Sequence, residues 1–298
     1  MNRRKFLKDA SASVALASLP LRIGAQEAPE KIATRPIPST GEPLPIVGFG
    51  SSAIFSGGDF AGAAALLDAL RDMGGKFIDT WPPAQSTFGR YARENSAHDD
   101  LFLGTNISTG RGDADLQALT AAKESQGKQT LDLIQLPRPA DIAAQWPIVQ
   151  RWREEGHARY IGIAVTGQRF FDVVESLLRN GKPDFIQINY SMMEPESGER
   201  LLPLARDKGV AVVTNRPFLN GQYFPRVLDT ELPGWAANFD CQSWAQFSLK
   251  WILANGIVNC TLTETTKLHH AIDNLSAGLG RLPDERERAR MQAFIRSI

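Results

Sequence analysis

Short apolar runs alternate with amphipathic segments from residue 46 to the end of the chain. The apolar runs are rich in Ile, Leu and Val and mostly lack interleaved polar residues, which is typical of strands covered on both faces. The segments between them carry apolar residues at helical spacing. Two of these segments end in Asn-Gly, at positions 180–181 and 255–256, where Gly stops a helix before the next apolar run.

This repeat predicts eight strands and about eight helices. Strict alternation favours an α/β fold of the (β/α)8 TIM barrel type over an open sheet. Because no linker or change of composition divides residues 46–298, we expect a single domain there. The predicted strands are Ile46–Gly50, Lys76–Asp79, Leu101–Ile107, Leu131–Leu136, Tyr160–Val165, Phe185–Tyr190, Val210–Thr214 and Ile257–Thr261. The predicted helices include Phe60–Met73, Asp141–Glu155, Phe170–Asn180, Gly198–Lys208, Cys241–Asn255 and Leu282–Ile298.

Composition excludes several classes of protein. The chain has 298 residues, of which 43% are hydrophobic, as in ordinary globular proteins. Its 33 Lys and Arg residues balance its 33 Asp and Glu residues, which argues against a nucleic-acid partner. The two cysteines, Cys241 and Cys260, either pair under oxidising conditions or are small buried hydrophobic residues. Neither they nor the four histidines have metal-ligand spacing, so no metal site is predicted.

The first residues of the chain have the order basic, apolar, small. The run Asn2–Lys8 contains Arg3 and Arg4 and resembles the twin-arginine export signal. The apolar stretch Ala10–Leu21 that follows is too short to span a bilayer, so we expect no stable membrane anchor.

We therefore expect residues 1–25 to be a twin-arginine signal peptide that ends near Ala25, with residues 26–45 as an N-terminal linker. Export would require the twin-arginine machinery as a partner and would place the protein in the periplasm or another extracytoplasmic compartment. The alternative is a basic helix at the start of a cytoplasmic protein.

A long connection, Leu219–Asp240, follows the seventh predicted strand. Loops after barrel strands lie on the catalytic face. This connection either covers a substrate or is a plain surface excursion.

Short motifs lie at the predicted strand ends, in a fixed order along the chain. They are Gly48–Gly50, Phe77–Thr80, Arg159–Ala164, Phe185–Tyr190, Val212–Phe218 and Asp273–Asn274. In order and spacing they resemble the motifs of the aldo-keto reductase family. The resemblance implies a (β/α)8 barrel that binds NADP(H) without a Rossmann fold and reduces aldehydes and ketones.

In that family an Asp, a Tyr, a Lys and a His carry the proton chemistry. The corresponding positions here are Asp79, Phe88, Asn106 and Gln135, in that order. Phe88 has no proton to give, and Asn106 has no charge to lower a neighbour's pKa. Gln135 hydrogen-bonds a carbonyl but does not change charge. Because loss of general-acid help costs on the order of 100- to 10,000-fold in rate, we expect ordinary tyrosine-assisted reduction to be impaired.

Two residues near this site have alternative interpretations. Tyr91 supplies a hydroxyl to the site if the lengthened loop 81–87 shifts register; otherwise it lies on the first turn of the following helix. Asp79 is either a remaining catalytic carboxylate or a residue that holds the loop through Thr80 and neighbouring N–H groups.

The resemblance also implies cofactor contacts. Gln187 and Asn215 match positions on the nicotinamide side, although Gln187 is alternatively an interior polar residue bonded to Asn189. Arg216 is either a clamp for phosphate or carboxylate or a partner for Asp79. The positions expected on the phosphate and adenine side are Thr265, Thr266, Lys267 and Asn274, the last alternatively a helix-surface residue.

Two functions follow as hypotheses. The first is an exported oxidoreductase that reduces an unidentified carbonyl compound with NADP(H) and a non-standard proton donor. The second is an inactive or repurposed barrel that binds a small-molecule ligand at the old active-site mouth. Fold favours the first and site chemistry favours the second, because fold alone does not specify function.

Overall fold

The described part of the chain, residues 31–50 and 53–298, begins with a β-hairpin in this computed structural model. Strand β1 (Thr34–Pro36) pairs antiparallel with β2 (Pro43–Pro45). The predicted signal peptide, residues 1–25, lies outside the described residues. The sequence predicts a linker up to residue 45, but from residue 34 the chain is this hairpin, because Ile37 and Leu44 are buried in an apolar cluster.

Eight parallel strands then close into a barrel, in chain order, with the last strand paired to the first. Each strand begins and ends within two residues of its predicted bounds, and the (β/α)8 TIM barrel is confirmed. The barrel strands are β3 (Val47–Phe49), β4 (Phe77–Thr80), β5 (Phe102–Asn106), β6 (Leu131–Pro137), β7 (Ala158–Ala164), β8 (Phe185–Asn189), β9 (Ala211–Asn215) and β10 (Val258–Thr263).

The helices pack outside the barrel around a buried apolar layer. Their bounds are α1 (Phe60–Asp72), α2 (Pro82–Glu94), α3 (Asp113–Gln126), α4 (Ile142–Glu154), α5 (Phe171–Asn180), α6 (Ser197–Asp207), α7 (Phe224–Val227), α8 (Trp244–Leu253), α9 (Leu268–Ser276) and α10 (Glu285–Ser297). The segment 81–87, interpreted from sequence as a lengthened loop, instead contains the start of α2. Its two prolines occupy the first helical positions, where the missing N–H has no intrahelical partner to lose.

The hairpin covers the amino-terminal end of the barrel. Its residues Ile37 and Leu44 share a buried cluster with the first residues of several barrel strands, such as Phe77 and Phe102. Glu42, between the two hairpin strands, pairs with Lys76 at 3.1 Å and also with Arg159. The open end of the barrel is therefore the opposite one, where the strands end.

Three features of the described residues limit the chemistry. Cys241 and Cys260 are free and buried, and burial raises the pKa of each thiol. No described helix combines the length and apolar character needed to cross a membrane. In the same part of the chain, no three His, Cys, Asp or Glu side chains converge as a metal site.

Candidate active site

A cleft of about 810 Å³ opens at the carboxyl ends of the barrel strands. This is the face on which (β/α)8 barrels carry their active sites. Four of the predicted site residues line it: Asp79, Gln187, Asn215 and Arg216. The connection Leu219–Asp240 also borders it, since Asn220, Gly221 and Phe224 form part of the wall.

Asp79 lies at the floor of the cleft, near the end of β4. Asn106 Nδ2 donates to Asp79 Oδ1 at 2.6 Å, and Gln135 Nε2 donates to the same oxygen at 2.9 Å. The side-chain amide of Gln187 also favours the charged form of the Asp79 carboxylate and lowers its pKa. The structure therefore brings together the residues at three of the four positions that the resemblance assigns, and adds an amide from β8. The side chain of Asn189 bonds the Gly167 N–H and Glu194 rather than Gln187.

The surroundings of the Asp79 side chain raise its pKa to about 6. The largest cause is burial, because the side chain is only 5% exposed and the charged form loses its water. The three amide donors act in the opposite direction, since they stabilise the carboxylate, while the charge of Glu264 raises the pKa further. Asp79 is thus a carboxyl group that exchanges a proton near neutral pH, as general acid–base catalysis requires.

The same three amides each leave an oxygen without a partner. Asn106 Oδ1, Gln135 Oε1 and Gln187 Oε1 are buried and accept no hydrogen bond from the described residues. Buried acceptors of this kind are rare unless a ligand or water serves them. The floor therefore has acceptors to spare for a proton on Asp79 or for donors of a bound molecule.

Phe88, which the resemblance assigns to the family's tyrosine position, lies away from the cleft. It is on α2, is 1% exposed, and packs against Phe55 with ring centroids 5.0 Å apart. Its ring is absent from the cleft lining. The aromatic position is thus part of the apolar core and does not contact the reacting groups.

Restoring the tyrosine by Phe88→Tyr is therefore expected to cost stability without raising activity. The added hydroxyl would be buried among aromatic rings and left without a partner, which costs about 1–3 kcal/mol. Chemical denaturation would measure the loss, and a reductase assay would compare turnover. A gain in carbonyl reduction in Phe88→Tyr would show that this position still reaches the site.

Tyr91 is the matched control for that experiment. Its hydroxyl donates to Asp68 at 2.5 Å and accepts from Arg71 at 3.2 Å, both on α1 and outside the cleft lining. Neither sequence interpretation of Tyr91 describes this position, which is in the third turn of α2. Tyr91→Phe is expected to lower stability by about 1 kcal/mol and to leave turnover unchanged.

The residues predicted on the nicotinamide side also have unpartnered atoms. Asn215 donates to the Val165 carbonyl at 3.0 Å, while its own Oδ1 has no partner. Arg216 is 3.4 Å from Glu194 rather than paired with Asp79, and its Nε is likewise unpartnered. Both side chains line the cleft.

A second cavity of about 310 Å³ continues the cleft toward α9. Phe218, Phe224 and Glu264 line both cavities. Thr265 and the buried Asn274 line the smaller one, so Asn274 is not a helix-surface residue. Thr266 and Lys267, also predicted as phosphate contacts, are exposed at the start of α9 and lie outside both linings.

The cleft wall also contains two cationic residues that were not predicted from the sequence, Arg138 and Arg169. Arg138 immediately follows Pro137, the last residue of β6. Arg169 lies in a short 3-10 helix after β7. A systematic look at the residues just after each strand end would have found Arg138, since those positions face the catalytic side of a barrel.

Comparison with known proteins places this geometry in a family. Residues 47–295 match the model of the aldo/keto reductase family. An aldo-keto reductase from Bacillus halodurans, in its holo form, is 18% identical with a TM-score of 0.72, over 88% of this chain and 96% of that one. An aldo-keto reductase from Klebsiella pneumoniae, in complex with NADPH, is 17% identical with a TM-score of 0.72, over 89% and 95%. No curated protein sequence matches. Because the family match spans most of the sequence, the chain belongs to the aldo/keto reductase family.

Proposed function

We propose that this protein is an exported oxidoreductase that reduces a carbonyl compound with NADP(H), and that Asp79 delivers the proton. The observation that carries the proposal is Asp79 itself. It lies at the cleft floor with a pKa raised to about 6, while the other three family positions hold Phe88, Asn106 and Gln135. Family membership and the similarity to the Klebsiella protein in complex with NADPH support the choice of cofactor.

The unpartnered atoms of the cleft fit a nicotinamide cofactor. A carboxamide carries two N–H donors and one acceptor oxygen, and Gln187 Oε1 and Asn215 Oδ1 are free acceptors in the cleft residues. Arg216 Nε is a free donor beside them. The smaller cavity, lined by Thr265 and Asn274, adjoins the cleft and adds room for the rest of a dinucleotide. These residues would hold the cofactor.

NADPH, when bound, supplies the hydride that reduces the carbonyl carbon. In this proposal the proton of the Asp79 carboxyl passes to the carbonyl oxygen as negative charge develops there, so the product is the alcohol. The carboxylate that remains is held by the amides of Asn106, Gln135 and Gln187. Water returns a proton to Asp79 before the next turnover.

Titration of the full chain with NADPH, followed by cofactor fluorescence, tests the cofactor part. Saturable binding is expected, with turnover on a broad panel of aldehydes at pH 5 to 6. Absence of binding at millimolar NADPH would remove the oxidoreductase function.

A second candidate is a barrel that binds a small molecule without turning it over. The replacement of three ionisable family residues favours it, because among the four assigned positions only Asp79 retains a group that can move a proton. The ligand would contact Asp79 and Arg216 in the cleft, with Trp81 in its wall and Asn106 and Gln135 behind the carboxylate. NADPH binding without turnover on any aldehyde would favour this candidate.

Export is proposed on the sequence of the first residues, where Arg3 and Arg4 stand in a twin-arginine pattern. Fractionation of a bacterium that expresses the full chain should recover it from the periplasm. The double variant Arg3→Lys, Arg4→Lys should remain in the cytoplasm. Equal recovery of both forms from the cytoplasm would contradict export.

A further inference from the structure

Two arginines, Arg138 and Arg169, stand side by side in the order of the barrel strands, one after β6 and the other after β7. We call them the arginine pair. Both side chains are exposed and line the 810 Å³ cleft. Neither guanidinium forms an ion pair with any of the described residues, in contrast to Arg216, which faces Glu194 at 3.4 Å. The arginine pair thus places two positive charges at the cleft that no carboxylate of the described residues neutralises.

The backbone conformation of Arg138 is unfavourable for a residue with a side chain. Its φ of 42° lies in the left-handed region, which glycine adopts freely and larger side chains disfavour. It stands between Pro137 and Pro139, and its backbone N–H donates to the Ala164 carbonyl at 3.2 Å. The guanidinium stacks over the ring of Trp81, 5.4 Å from its centroid. Strained residues of this kind concentrate at ligand sites.

The charges of the cleft are unevenly distributed. The arginine pair follows β6 and β7, whereas Glu264 follows β10, three strands beyond β7 round the barrel, and Asp79 lies at the buried floor. Neither carboxyl group lies on the strand ends that carry the arginine pair. The wall formed after β6 and β7 is therefore cationic.

The groups assigned to the cofactor lie elsewhere around the barrel. Gln187 and Asn215 are on β8 and β9, and Thr265 and Asn274 follow β10. The arginine pair is outside this set and shares the cleft with Asp79. A molecule that spans from the pair to the floor would place one end on guanidinium groups and the other at the proton of Asp79.

We propose that the arginine pair binds an anionic group of the substrate, so that the substrate class is carbonyl compounds that carry a carboxylate. Guanidinium groups bind carboxylates through paired, charge-assisted hydrogen bonds, which fix orientation as well as charge. The substrate assignment rests on the proposed reductase function, whereas the anion site rests on the arginine pair alone.

A matched pair of aldehydes tests the substrate assignment. 4-Oxobutanoate and its methyl ester carry the same reacting carbonyl and differ in charge at the far end. The wild-type protein is expected to have a kcat/KM about ten- to hundredfold higher for 4-oxobutanoate. Arg138→Gln and Arg169→Gln are each expected to lower that value about tenfold, mainly through KM, and to leave the ester unchanged.

Two further variants separate binding from folding. Arg138→Gly removes the side chain and relieves the left-handed backbone, so it should lose the preference for 4-oxobutanoate while its Tm does not fall. Arg226→Gln removes an exposed charge on α7 that is outside the cleft lining, and it should leave the preference intact.

A binding measurement does not depend on turnover. Calorimetry of the full chain with succinate, without cofactor, should detect binding that both Gln variants weaken and that salt reduces. Such binding in a protein that does not bind NADPH would sustain the anion site and overturn only the reductase function. Equal kcat/KM for the two aldehydes, unchanged in the variants, would overturn the proposal. Loss of NADPH affinity in the Gln variants would overturn it too, because it would assign the arginine pair to cofactor phosphates.

Discussion

Asp79→Asn is expected to lower kcat for carbonyl reduction by about 100- to 10,000-fold, the range that general-acid help supplies. Asn has nearly the same shape and still accepts hydrogen bonds from Asn106 and Gln135, but it has no acidic proton to transfer. The affinity for NADPH is expected to remain, since the cofactor contacts lie on other residues. Steady-state kinetics with a fluorescence titration would measure both quantities.

The rate of carbonyl reduction is expected to fall as the pH rises. The pKa of Asp79 is about 6, and the proton-bearing form is the active one, so kcat should fall about tenfold per pH unit above pH 6. Asp79→Asn should lose this dependence together with the rate. Glu264→Gln is the matched control, because Glu264 is another carboxyl group of the cleft wall. If Glu264→Gln had the larger effect and Asp79→Asn retained wild-type turnover, Asp79 would not be the proton donor.

Stability should depend on pH through the same carboxyl group. Burial raises the pKa of Asp79 in the folded protein to about 6, above its unfolded value of about 3.9. Between these values the folded state binds more protons than the unfolded state, so the free energy of unfolding falls as the pH rises. The contribution is fully present below pH 4, and about 3 kcal/mol of it is lost once the pH has passed 6.

The effect of Asp79 on the free energy of unfolding is measured as a difference between wild type and a variant, because other carboxyl groups make the protein more stable as the pH rises. Glu42 and Glu287 have pKa values lowered by ion pairs and hydrogen bonds, so their stabilisation grows as the pH rises. Denaturation of wild type and of Asp79→Asn at pH 4 and pH 8 isolates the Asp79 term. Relative to wild type, the variant should gain about 3 kcal/mol between the two pH values. Parallel curves would show that the floor does not disfavour the charged carboxylate.

The barrel could be predicted from sequence because strands covered on both faces appear as continuous runs of apolar residues. Those runs located each barrel strand to within two residues. It failed for α2 and α3, which are largely polar, and Pro82 and Pro83 at the start of α2 suggested a loop although prolines are tolerated there. The hairpin was missed because its strands are three residues long and rich in proline.

The site was predictable only where strands fix side-chain direction. Asp79, Asn106 and Gln135 lie on neighbouring strands, so their family positions were enough to bring them together. Phe88 lies in the core on α2, a helix that the apolar periodicity did not predict. The pairing of Arg216 with Glu194 depends on the backbone of connecting segments, which pattern arguments do not determine.

The hairpin that seals one end of the barrel has a kinetic consequence. Because the hairpin covers the opposite end, a molecule reaches Asp79 through the cleft, whose wall includes Trp81 and Phe224, and leaves by the same route. Entry of fresh reactant and escape of the spent molecule are therefore mutually exclusive events. In a cleft with a single opening, product inhibition should be competitive with the reactant. The last molecule to dissociate should then limit turnover.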